Sequence, residues 1–286
     1  MATDLIDDLS VCDPIDALES LGYTQREAGF LYLVAAQSGY FLRRQFDYFI
    51  DRNKGSIAMR LLEKGQTSGH IESLDYKQGW RVYHLCSRTI YRLLGHPESQ
   101  LRRRKGDAQV RARLMALDYV LENDSDHFLS SERERTCFFT ETRGVVLELF
   151  EERLHPLLGA FPISLTDRTR PAQSTIRFAF IDEGFSTAEK FLRFLSIAEP
   201  LLRAVGDFEV VYVASSEFNF HAAKTAFWSR FTSSSPGNLR LFDEDARSVA
   251  RQRRVPLQAR FTTLLFRYSY PALQRSEAKG SGTVRV

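Results

Sequence analysis

Near the start of the chain, apolar residues recur at helical spacing in three short stretches and then switch to strand-like alternation. Thr24-Gln25-Arg26-Glu27 precedes a run with Ala28, Leu31, Val34 and Ala35 on one helical face. The Thr24 hydroxyl and Glu27 carboxylate are spaced to satisfy the first unpaired amides of that helix, and Ser38-Gly39 ends it. A second amphipathic stretch, Leu42–Asp51, sets Phe46, Phe49 and Ile50 against Arg43, Arg44 and Arg52. A third begins at Ser56, a good N-cap, and is expected to close at Lys64-Gly65. Beyond it, His70–Asp75 and Trp80–Cys86 flank the turn Lys77-Gln78-Gly79. Trp80, Val82 and His84 alternate with Arg81, Tyr83 and Leu85, as the two faces of a hairpin strand do. Arg88–Gly95 then reads as a further helix.

Three helices, a hairpin and a capping helix follow the order of a winged helix, and the distribution of charge fits that order. The whole chain of 286 residues carries a formal charge of only +3. Residues 42–105 nevertheless hold fourteen Lys or Arg against six Asp or Glu, whereas residues 1–41 hold seven acids and one base. A polyanion responds to such a local field rather than to the net charge.

The pattern continues with a helix from Asp107 to Glu122, whose stripe Val110, Leu114, Leu117, Val120 and Leu121 suits either a core or a homodimer seam. Ser131-Glu132-Arg133-Glu134 caps a helix running through Phe138 and Phe139. Val145–Leu154 fits helix or strand, and Thr166–Ser174 an exposed loop. Ile176–Ile181, Thr187–Val205 and Phe208–Ala214 predict strand, helix, strand with a parallel crossover. Ser216–Phe231 predicts another helix, and Glu277–Val286 a frayed tail. The expected class is α+β: an acidic arm (1–20), a winged helix-turn-helix (21–105), a linker helix (106–129), an α/β domain with a small sheet (130–274) and a tail (275–286).

Composition adds bounds. A hydrophobic content of 43% with 12% aromatic residues is enough for a buried core. No stretch approaches the roughly twenty apolar residues of a membrane span, and Met1–Asp8 lacks the basic start and apolar middle of a signal peptide, so a cytoplasmic location is expected. Cys12, Cys86 and Cys137 have neither disulfide-framework nor zinc-ligand spacing, and the six histidines are scattered singly. No metal site and no cofactor is expected.

Two groups of residues carry candidate chemistry. Ser56, Ile57, Met59 and Arg60 open the third helix, where side chains of a recognition helix reach base edges in double-stranded DNA. Arg60 is placed to bind guanine O6 and N7 together. Lys54, Lys64, Lys77 and Arg81 would hold phosphates around it, with Arg43, Arg44 and the run Arg102-Arg103-Arg104-Lys105 extending the grip. The second group is Asp182 and Glu183, at the end of a predicted strand. Together with Glu209 they are the residues a magnesium-dependent nuclease would use. The neighbouring strand, Phe208-Glu209-Val210-Val211-Tyr212, lacks the lysine of an Asp/Glu-x-Lys motif, and Lys190 and Lys224 fall on helices. Asp182-Glu183-Gly184 therefore reads first as turn chemistry.

The segment Thr24–Gly95 resembles the winged-helix DNA-binding proteins of the replication-relaxation type, accessory proteins of plasmids and integrative elements. The resemblance rests on Leu21-Gly22-Tyr23-Thr24-Gln25-Arg26-Glu27, Leu61-Leu62-Glu63-Lys64-Gly65 and Tyr83-His84-Leu85-Cys86-Ser87. In that group the second domain is similar to a nuclease-like α/β fold, and Phe178-Ala179-Phe180-Ile181-Asp182-Glu183-Gly184 resembles its strand-plus-acid element. Gln66-Thr67-Ser68-Gly69 departs from the usual Leu-Val lead into the wing. The resemblance implies a DNA-binding regulator or mobile-element accessory protein. The alternatives are a magnesium-dependent nuclease and a winged helix that docks protein.

Overall fold

The computed structural model describes residues 13–51, 56–76, 79–146, 161–184, 188–231 and 257–266. The chain is mixed α+β with two sheets and divides into two compact units after Leu117. The division falls inside the helix Asp107–Glu122 rather than at either end of it. Lys54, Lys77, Arg52, most of Val145–Leu154 and the tail lie outside the described residues.

In the first unit, α1 (Pro14–Glu19) precedes α2 (Gln25–Gln37). The expected capping box is present: Thr24 N–H donates to Glu27 Oε2 at 2.9 Å and Glu27 N–H to Thr24 Oγ1 at 3.4 Å. Gly39, at φ +77°, ends the helix, its N–H donating to Val34 O at 2.7 Å. Then come β1 (Tyr40–Phe41), α3 (Arg43–Phe49), α4 (Ile57–Thr67), β2 (Ile71–Asp75), β3 (Arg81–Leu85) and α5 (Arg88–Leu93). The strands form an antiparallel sheet in the order β1-β3-β2.

Two helix ends differ from expectation. Ser56 precedes α4, but its hydroxyl makes no capping bond. Gly65 does not end the helix, which continues to Thr67. A Cβ at Gly65 would lie 2.3 Å from Ile71 Cδ1, so this glycine lets β2 pack against α4. The left-handed stop is Gly69 at φ +66°, and His70 N–H donates to Gly65 O at 2.8 Å, satisfying a carbonyl of the last turn.

The alternation in β3 does not give it a wet face; from Val82 to Leu85 every residue is buried. On one side Phe41 meets Phe30 of α2 edge-on, at 5.3 Å. On the other, Tyr40 stacks on His84 at 4.2 Å, and the segment Leu101–Lys105 straps both residues down. His84 Nε2 lies 3.3 Å from Leu101 O, Tyr40 OH donates to Arg103 O at 3.3 Å, and Lys105 N–H donates to Tyr40 OH at 2.8 Å. The strap crosses Gly39 so closely that a Cβ there would stand 2.4 Å from Leu101 O. Buried Gln45 adds a further tie: its Oε1 accepts from Leu42 N–H and its Nε2 donates to Leu114 O.

The stripe of α6 (Asp107–Glu122) is buried within the chain, as are Met115, Ala116 and Tyr119 off it. Of the two roles open to it from sequence, core is the one it occupies.

The second unit is built on a five-stranded sheet, β4 (His127–Phe128), β5 (Ile163–Leu165), β6 (Ile176–Asp182), β7 (Asp207–Ala214) and β8 (Gln258–Leu265), in that spatial order. The first two pairings are antiparallel and the last two parallel. α7 (Glu132–Cys137) carries a Ser131–Glu134 capping box and passes into a π-helical turn through Phe138–Thr142. The predicted crossover helix is α8 (Ala188–Val205), between parallel β6 and β7. The next helix, α9, spans Phe220–Phe231 rather than starting at Ser216; the Asn219 carbonyl accepts from Ala223 N–H at 2.9 Å, and its side chain reaches back to Asp182. Alternate residues Phe178, Phe180, Val210 and Tyr212 form one core with Phe191, Phe194, Leu195 and Phe227 of the helices. No described helix is long and apolar enough to cross a membrane.

Candidate nucleic-acid interface

α4 has two sharply different sides. Ala58, Leu61, Leu62 and Gly65 are buried, whereas Ser56, Met59, Arg60 and Glu63 are exposed at i, i+3, i+4, i+7 spacing. Ile57 is half-buried at the edge of that stripe. Met59 is 49% exposed. The Arg60 guanidinium meets neither an acid nor another acceptor among the described residues. On α3, Tyr48 and Phe49 are also exposed.

The other bases predicted for phosphate contact are distributed differently. Arg43 Nε lies 3.5 Å from Asp47, and Arg81 Nε donates to Asp75 at 2.8 Å, both partners of the second pair being more than half exposed. Two guanidinium nitrogens of Arg104 engage Glu72. Exposed pairs of this kind contribute at most about 1 kcal/mol and exchange readily for a phosphate. Arg44, Arg102 and Lys105 are half-buried and Arg103 is exposed.

Lys64 turns inward. Its Nζ lies 2.7 Å from Glu27 and 2.8 Å from Gly22 O, and 5.3 Å from the Tyr23 ring centre. Tyr23 OH in turn lies 2.9 Å from His70 Nδ1. Burial, reinforced by the Glu27 charge, pushes the Tyr23 phenol up to about 12, and burial holds His70 below its usual value. Removing Lys64 from Glu27 would leave a nearly buried carboxylate uncompensated. This residue braces the start of α2 against the end of α4.

In the second unit, Asp182 stands at the carboxyl end of β6 and is buried. Its Oδ1 accepts from Gly184 N–H at 2.9 Å; its Oδ2 accepts from Tyr212 OH at 2.7 Å and from Asn219 Nδ2 at 3.0 Å. Burial, then the hydrogen bond to Asp182, raises the Tyr212 phenol far above its ordinary value. Glu183 Oε1 lies 2.8 Å from Lys190 Nζ. The helical position of Lys190 made it a poor candidate from sequence, yet it sits in the first turn of α8, which starts just beyond the end of β6. That short connection was the available signal.

Glu209 does not join this group. Asp182 pairs in register with Ala214, whereas Glu209 pairs with Arg177, five residues back along the same strand, or about 16 Å at roughly 3.3 Å per residue. Its partners are Arg177 Nε at 2.8 Å and Thr262 Oγ1 at 2.5 Å. Arg177 also donates to both oxygens of Asp126, which accepts from Ser164 as well. A polar row thus crosses the sheet, invisible in sequence because its members come from five separate segments. Among the described residues no three His, Cys, Asp or Glu are grouped to hold a metal ion. Comparisons of the chain with protein families, curated proteins and solved structures find no match.

Proposed function

We propose that the first unit is a winged helix that binds duplex DNA, with α4 as recognition helix and the β2–β3 hairpin as wing, in a regulator or mobile-element accessory protein. The observation that carries this reading is the exposed stripe of α4, where Arg60 stands unengaged beside a half-exposed Met59. The element order α2-β1-α3-α4-β2-β3, with sheet order β1-β3-β2, supports it. In this reading Arg60 binds a guanine, while Arg43, Arg81, Arg103 and Arg104 exchange their acids or water for phosphates, and Lys54 and Lys77 add to the grip.

Fluorescence anisotropy on duplexes across a salt series tests the reading. Affinity is expected to fall steeply with log salt. Replacing Arg60 by Ala should cost roughly 1–3 kcal/mol at the preferred site and relax discrimination there, whereas Lys77→Ala should weaken all duplexes alike and reduce the salt slope by about one. Binding indifferent to salt would instead favour docking to an acidic protein.

A second reading, a magnesium-dependent nuclease in the second unit, is favoured by one contact, Lys190 against Glu183 beside Asp182. The separation of Glu209 counts against it. Supercoiled plasmid left intact by the protein with magnesium or manganese would remove this reading.

A further inference from the structure

The exposed stripe of α4 pairs a cation with an apolar side chain, and the pairing bears on what kind of duplex it suits. Met59 and Arg60 are adjacent, about 1.5 Å apart along the helix axis, and Glu63 follows one turn later. Leu61 and Leu62, the neighbouring apolar residues, are buried, so Met59 is directed away from the core that takes up its neighbours. Base edges in the major groove offer donors, acceptors and a single apolar group, the thymine C5-methyl. The minor groove offers no apolar group, and in A-form RNA the major groove is too deep and narrow for a helix while uracil lacks the methyl.

We infer that Met59 reads a thymine methyl in the major groove, within one or two base pairs of the guanine bound by Arg60, so that α4 selects DNA over RNA of the same sequence. The thioether is flexible and polarizable, suited to packing on a small methyl without strict geometry. Glu63, a turn further on, repels phosphate and is tolerated on such a face as an acceptor for cytosine N4. This inference rests on the proposed role of α4 in DNA binding.

The test uses the full chain and duplexes selected by it from a randomised pool, with dissociation constants measured by anisotropy. Thymines in the selected site are replaced one at a time by uracil, which removes the methyl and leaves every hydrogen-bonding group. At one position next to the Arg60-dependent guanine, the replacement is expected to weaken binding about fourfold, the effect of one buried methyl. The Met59→Ala protein should bind the thymine and uracil duplexes equally, while keeping its discrimination at the guanine. Met59 is exposed, so the variant is expected to fold, and an unchanged unfolding midpoint checks this. Equal uracil sensitivity in both proteins, or none in either, overturns the inference and leaves DNA binding standing. Absence of salt-dependent duplex binding by the native chain overturns both.

Discussion

Replacing Asp182 by Asn removes a charge and an acceptor from a carboxylate that is 2% exposed and receives three hydrogen bonds. The asparagine oxygen can keep the bond from Gly184 N–H. Its amide nitrogen then stands where Oδ2 was, facing the Asn219 amide, donor against donor. Asn219 must turn over, and Tyr212 must accept where it donated. Hydrogen bonds to a charged group contribute about 1.5–3 kcal/mol each, and the rearrangement loses at least one and weakens another. The expected destabilisation is about 2–4 kcal/mol, above the roughly 1 kcal/mol of a simple turn or cap bond. At about 2–4 °C per kcal/mol for a unit of this size, the melting midpoint should fall by roughly 5–15 °C. Two units need not unfold together, so fluorescence is followed in a Trp80→Phe background, where Trp228 of α9 is the remaining tryptophan. DNA binding should be unchanged. An unaltered midpoint would refute the structural role, and calorimetric magnesium binding by the native protein, lost in this variant, would make Asp182 a ligand instead.

Gly39→Ala and Gly95→Ala form a matched pair. Both glycines have φ near +78°, at +77° and +79°, but only at Gly39 would the new Cβ meet backbone, Leu101 O at 2.4 Å. Gly95→Ala should cost about 1–2 kcal/mol in urea unfolding, the left-handed penalty alone, and Gly39→Ala clearly more; equal losses would mean that the strap yields. Glu209 gives a pH test. Burial raises its pKa, but the bonds from Thr262 and Arg177 outweigh burial and hold it below the ordinary 4.5. Its contribution is therefore complete above that value and lost as pH falls through the depressed one. The native chain should lose stability more steeply below pH 4.5 than Glu209→Gln, and parallel curves would show that the ion pair with Arg177 is uncoupled from folding.

Local signals in the chain were sufficient wherever the controlling interaction spans a few residues. The Thr24–Glu27 and Ser131–Glu134 boxes, the stop at Gly39, the extent of Asp107–Glu122 and the strand, helix, strand from Ile176 to Ala214 all depend on neighbours in sequence or on one periodic face. The exposed stripe of α4 was legible for the same reason: a 3.6-residue period separates Leu61 and Leu62 from Met59 and Arg60. Tertiary structure decided what depends on segments brought together from afar. It made Gly65 a packing residue instead of a stop, because Ile71 needs the space. It buried both faces of β3, because Leu101–Lys105 returns across Tyr40 and His84. It turned Lys64 from a phosphate candidate into a brace, set Lys190 against Glu183, and parted Glu209 from Asp182. A residue's type and spacing fix which local bonds it is able to make. Whether a charge is spent inside the fold or left facing solvent depends on which distant partner arrives beside it, and only the folded chain brings that partner there.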